Sequence, residues 1–203
     1  MVAEQATAET VPREKGRWLP RLARQVILQA FGKSLPDPER RRLEASLRDP
    51  VFSIRAGTFV TLTRESRLRG CIGNLSPCDT ILEGVRRNAL HAAFHDPRFS
   101  PLSLAELDST RIEVSVLSVP QKLAFRDPQE LLARLVPGRD GVVLKRGFAS
   151  ATFLPQVWEQ LPRPEDFLGH LCLKAGLPRT AWKEPGIEVE TYRVQVFEEE
   201  PGS

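Results

Sequence analysis

Cys71 and Arg69, in the hexapeptide Leu68-Arg69-Gly70-Cys71-Ile72-Gly73, are the residues of this sequence best suited to chemistry. Cysteine acts through its thiolate, and a fixed positive charge nearby favours that form. An unassisted cysteine, with a pKa of about 8.5, is only a few per cent thiolate at neutral pH. In an extended strand alternate side chains share a face, so Arg69, Cys71 and Gly73 are expected on one side and Leu68, Gly70 and Ile72 on the other. Gly70 and Gly73 would admit a neighbouring backbone or a ligand where a Cβ would block it. The same residues have a structural use: a strand cysteine fills small apolar space, and paired glycines permit tight packing or a bulge.

A nucleophile needs a base and a group that stabilises developing charge. His91 and His95 stand four apart, on one face of a predicted helix. They offer a base, or they serve only as imidazolium at the helix C-terminus. Metal binding by this pair is not expected, because no Cys-x-x-Cys accompanies it and no glutamate follows the first histidine. Asp96 and Arg98, in "DPRF", leave the helix end as a charge pair that either belongs to the site or is a structural salt bridge. Glu113 and Ser115 lie on the polar side of the alternating strand "RIEVSVLS", opposite Ile112, Val114 and Val116. If that strand neighbours the hexapeptide hairpin, Arg69, Cys71, Glu113 and Ser115 line one polar groove; otherwise they lie on a solvent-facing sheet side covered by long side chains. Lys174 is an ordinary solvated helix residue by its position.

These residues need elements to hold them. "WLPRLARQVILQAFG" has helical spacing, with Gly32 as its stop, and a charged segment containing Pro36 and Pro38 follows. "TFVTLTRESRLRGCI" reads as two antiparallel strands joined by a turn at Arg64 to Ser66. Thr80 with Glu83 and Ser103 with Glu106 are spaced as capping boxes that start helices. "DPQELLARL" and "PEDFLGHLCLKAG" predict further helices, and a strand pair meets near Gly147. In "IEVETYRVQVF" the apolar phase changes, which predicts a bulge near Glu190 and Thr191. Hairpins mixed with helices, without strict strand-helix alternation, predict an α+β fold with a largely antiparallel sheet.

The chain has 203 residues, 41% of them hydrophobic, and a net charge of +3. That balance suits one globular domain, and the basic residues are not interleaved with aromatics as in a single-strand nucleic-acid binder. No phosphate-binding glycine loop is present, and no cofactor is expected. No run reaches the roughly eighteen apolar residues of a membrane span. Residues 1–17 read as a disordered polar tail, 18–197 as the folded domain and 198–203 as a loose acidic tail. The absence of an export pattern and the odd count of three cysteines predict a cytoplasmic protein with reduced thiols.

"LRGCIG", "AFHDPRFSPLSLAELDSTRIEVSVLS", "GRDGVVL", "ATFLPQVWEQLP" and "FLGHLCLKAGL", in that order, resemble the AMMECR family from about Trp18 to Phe197. Within it the chain is most similar to the bacterial AmmeMemoRadiSam branch, found with a Memo-like protein and a radical S-adenosylmethionine enzyme. The resemblance implies an α+β fold with a larger and a smaller, intimately packed subdomain and a groove near the hexapeptide. It implies those two proteins as partners and supplies no settled reaction. Two functions are therefore expected to compete. In one, Cys71 is nucleophile or ligand contact in a small-molecule or modified-residue site, with Arg69 as its electrostatic partner. In the other, a non-catalytic adaptor presents the same groove to partner proteins.

Overall fold

A computed structural model describes residues 11–199. In chain order the elements are α1 (Arg13–Gly16), α2 (Trp18–Ala30), α3 (Asp37–Ser46), β1 (Gly57–Arg64), β2 (Arg67–Asn74), α4 (Ile81–Phe94), α5 (Leu104–Leu107) and β3 (Thr110–Leu117). They continue with β4 (Gln121–Lys122), α6 (Pro128–Arg134), β5 (Gly141–Arg146), β6 (Ala149–Phe153), α7 (Pro164–Lys174), β7 (Glu188–Tyr192) and β8 (Val194–Glu198). The fold is α+β. The chain divides into a larger unit, up to Leu117 and again from Gln195, and a smaller one, Ser118–Val194.

The larger unit is built on a sheet in the order β2-β1-β3-β8. Strand alternation decides what each face carries. Val60 and Leu62 of β1, with Ile112, Val114 and Val116 of β3, are no more than 1% exposed and share a hydrophobic core with α2 and α4. Leu19, Leu22, Ala23 and Ile27 form the buried stripe of α2, the spacing expected of a helix laid on one apolar side. Thr80 and Glu83 close the expected capping box on α4. Asn88, 2% exposed, ties α4 to the sheet by donating from Nδ2 to the Thr58 carbonyl at 2.9 Å and to Thr58 Oγ1 at 3.0 Å.

The smaller unit has the sheet order β4-β7-β5-β6. Leu144, Phe167, Leu168, Leu171, Cys172 and Val189 are all 0% exposed in its own core, where Trp158 stacks on Phe167 with ring centroids 3.7 Å apart. No helix among the described residues is long and apolar enough to cross a membrane.

Several expectations need correction. Residues 11–17 are not a loose tail: Val11 is fully buried, exchanges backbone hydrogen bonds with the Gln195 side chain, and is followed by α1. Residues 1–10 and 200–203 lie outside the described residues. Glu198 belongs to β8, and Glu199 pairs with Arg24, Nε to Oε1 at 2.5 Å, while the same guanidinium donates to the carbonyls of Leu107 and Thr110. The segment with Pro36 and Pro38 forms α3, since a proline in the first turn sacrifices only an N–H that has no helical partner. No bulge lies at Glu190 and Thr191, which pair in regular register with Val143 and Val142. The strand run breaks at Arg193 instead, and β7 and β8 belong to different sheets.

The β1–β2 turn places Glu65 and Ser66 at φ of 50° and 60°. A two-residue hairpin loop with both central residues at positive φ favours Asn-Gly, and side-chain-bearing residues there carry strain. Replacing Glu65-Ser66 by Asn-Gly is expected to raise stability by about 1 kcal/mol, read as a higher urea midpoint at unchanged slope.

Candidate functional site

The hexapeptide forms most of β2, which is an edge strand paired with β1. Cys71 stands opposite Thr61 and Gly70 opposite Leu62, after which the register shifts and Leu68 stands opposite Thr63. Arg69 is the extra residue of a β-bulge, and a bulge re-aims the side chain it carries. The expected Arg69–Cys71 pairing on one face is therefore not formed. Arg69 instead donates from Nε to Glu106 Oε1 at 3.0 Å and from Nη2 to Oε2 at 3.2 Å, with its guanidinium 5.9 Å from the Phe99 ring. Leu68, expected beside Gly70 and Ile72, is 43% exposed for the same reason.

The charge beside Cys71 comes from the "DPRF" turn. Asp96 Oδ2 accepts the Cys71 N–H at 2.8 Å, and Arg98 Nη2 donates to the Cys71 carbonyl at 3.2 Å. Arg98 also grips Asp96 through Nε at 2.9 Å and Nη2 at 2.7 Å. A carboxylate and a guanidinium thus occupy the places a neighbouring strand would take at this point of the sheet edge. The Asp96 side chain is 2% exposed. The Arg98 guanidinium, against the cost of burial and with the Cys71 and Arg98 N–H groups, holds it well below the usual carboxylate range. The Arg98 side chain stays 53% exposed. Its pKa is raised first by Asp96, with the nearby Cys71 as a lesser cause.

Alternation gathers the other polar residues beside the thiol. Thr61 and Glu113 are paired across β1 and β3, as are Phe59 and Ser115, so Cys71, Thr61, Glu113 and Ser115 stand on the sheet face away from α4. Thr61 Oγ1 donates to Cys71 Sγ at 3.4 Å. Two strand spacings separate Cys71 from Glu113, about 10 Å between backbones. Burial, and then repulsion from Glu198, pushes the Glu113 carboxyl above its usual range. Glu113 has no ion-pair partner among the described residues, and with Thr63, Arg111 and Glu198 it lines a hollow of about 140 Å³. Ser115 is 5% exposed, so this end of the face is covered.

The remaining sequence candidates fall elsewhere. A Cβ on Gly70 would overlap the Ala92 carbonyl of α4, and one on Gly73 would overlap the Phe59 ring. Of the two occupants expected there, a neighbouring backbone or a ligand, Gly70 admits the backbone, and Gly73 admits a ring of the protein itself. Ile72 is likewise turned to the core and packs against it. His91 and His95 are both exposed, rings 5.5 Å apart, and neither hydrogen-bonds the thiol. Cys78 is exposed, whereas Cys172 is buried and its thiol pKa is pushed up by desolvation. Lys174 donates to the Thr152 carbonyl at 3.0 Å.

Thr61 and Glu106 were not singled out by their types. Glu106 was legible only as the third residue of a capping box, yet it also receives Arg69, and Arg64 at 3.4 Å. The Arg69 guanidinium, then the Ser103 N–H, lowers its pKa to about 2. A carboxylate whose pKa is lower in the folded state contributes stability above its unfolded pKa and loses it as pH falls toward the folded one. Glu106→Gln is expected to cost about 1–2 kcal/mol at neutral pH. It should also flatten the acid side of the stability curve between about pH 5 and about pH 2, as followed by urea unfolding at stepped pH.

An α+β protein with an edge-strand cysteine, clamped by an aspartate-arginine turn and sharing a sheet face with a partly buried glutamate, is the class these features define. The chain belongs to the AMMECR1 family, whose profile matches residues 20–197. It is 38% identical to Protein MK0488 of Methanopyrus kandleri, over 95% of this chain and 92% of that one. It is also 38% identical to Protein NEQ441 of Nanoarchaeum equitans, over 90% of this chain and 99% of that one. The crystal structure of the uncharacterized protein PH0010 from Pyrococcus horikoshii superposes with a TM-score of 0.77 at 34% identity, covering 95% of each chain.

Proposed function

We propose that the face carrying Cys71, Thr61 and Glu113 is a cysteine-centred site for a small molecule or a modified residue. It works in the cytoplasm with a Memo-like protein and a radical S-adenosylmethionine enzyme of the AmmeMemoRadiSam type. One observation carries the reading: the Cys71 N–H and C=O are both held by side chains, Asp96 and Arg98, at a sheet edge. The clamp fixes the backbone that aims the sulfur, and the Arg98 guanidinium supplies the positive charge that supports a thiolate. Glu113 stands on the same face, and burial raises its proton affinity above that of an ordinary carboxyl, which suits it to give a proton to an oxygen or nitrogen of a substrate bonded to the sulfur.

Alkylation of the native protein by iodoacetamide near neutral pH, resolved by peptide mass spectrometry, tests this. Cys71 is expected to react faster than Cys78, although Cys78 is the more exposed of the two. Access alone would give the reverse order. If Cys71 reacts no faster than Cys78, the nucleophile is excluded, and co-purification with the two partner proteins would then decide whether the face is a docking surface.

A further inference from the structure

Across the strand pair the thiol meets the Thr61 hydroxyl, with Oγ1 3.4 Å from Sγ. The contact follows from the pairing. Because the Cys71 N–H and C=O point away from β1, toward Asp96 and Arg98, Cys71 and Thr61 form a non-hydrogen-bonded cross-strand pair. In such pairs the backbones approach to about 4.5 Å and the side chains lie closest. Threonine is β-branched and restricted at χ1, which limits the positions its hydroxyl can take. On the other side of β1, Thr61 stands directly opposite Glu113.

We infer that Thr61 is the positioning residue of the Cys71 site: its hydroxyl donates to the sulfur and stabilises the thiolate, and it joins Cys71 and Glu113 into one row across three strands. The inference rests on the reading of Cys71 as a nucleophile. When the thiol ionises its proton passes to solvent, and the sulfur keeps the Thr61 hydrogen bond. In the probe reaction the thiolate forms an S–C bond with iodoacetamide and iodide leaves with the bonding pair. The charged groups around the row are Arg98 and Asp96 at the strand edge, Glu113 and Arg111 on β3 and Glu198 on β8. α4 packs on the opposite side of the sheet, against Gly70.

The test is site-resolved alkylation from about pH 6 to about pH 9 on the full chain and on Thr61→Val, Thr61→Ala and Thr61→Ser, with unfolding midpoints recorded for each. A hydrogen bond to a charged acceptor is among the stronger kinds, so loss of the hydroxyl is expected to slow Cys71 about tenfold near neutral pH. The rise of rate with pH should also move to higher pH. Thr61→Ser should stay within about twofold of the parent, and Cys78 should be unaffected. A purely structural Thr61 would change the unfolding midpoint and leave the pH profile in place. Should Thr61→Val not fold, Thr61→Ala decides. Fast Cys71 in the parent with an unshifted profile in the folded Val or Ala variant overturns the inference alone, and a parent Cys71 no faster than Cys78 overturns the inference together with the functional reading.

Discussion

Gly70→Ala is expected to destabilise the larger unit by about 3 kcal/mol, an effect at the upper end for overpacking. The added methyl would overlap the carbonyl oxygen of Ala92, a backbone atom of α4 that cannot rotate away. Relief requires α4 to lift from β2, which opens contacts among Ala89, Ala92 and Leu62, each no more than 1% exposed. Gly32→Ala is the control: its φ is +69° and no atom lies near the added Cβ, so it should cost only about 1 kcal/mol of backbone strain. Urea unfolding of both variants separates crowding from strain. Equal costs, or a Gly70→Ala protein as stable as the parent, would mean that α4 does not sit against β2 as described.

Asp96→Asn is expected to lower stability by about 2 kcal/mol or more and to slow alkylation of Cys71 in the protein that remains folded. Asparagine retains an oxygen that can accept the Cys71 N–H, but it cannot balance Arg98, and the clamp needs both. The cost is set below that of a fully buried ion pair because Arg98 is half exposed and water recovers part of the loss. Since the Asp96 pKa is lowered in the fold, its contribution is complete at neutral pH and is lost only on acidification below the ordinary carboxylate range. Unchanged stability together with unchanged Cys71 reactivity would show that the Asp96–Arg98 turn is an ordinary surface pair.

The correspondence between sequence and structure is uneven in an informative way. Capping boxes and alternating strands were legible because they are short-range devices: Thr80 with Glu83, and Ile112, Val114 and Val116 set against Glu113 and Ser115. The placement of Glu113 and Ser115 on the Cys71 face was conditional on one strand order, and β1 between β2 and β3 meets the condition. Arg69 failed for a local reason with a non-local cause. Period-two counting presumes an unbroken ladder, and the register shift opposite Leu62 and Thr63 turns Arg69 toward Glu106, 37 positions later in the chain.

The sequence by itself determined most of the helices and strands, α1 and α3 excepted, which side of β3 is apolar and that Cys71 would lie on a hairpin strand, because periodicity and turn chemistry act within a few residues. Tertiary structure decided which charge meets the thiol. Arg69 is two residues away along the chain, yet the edge of β2 is open to the turn after α4, and there Asp96 and Arg98 take the Cys71 N–H and C=O. A sheet edge leaves backbone groups that must be satisfied by whatever the fold brings alongside, and no pattern within the strand specifies what that will be.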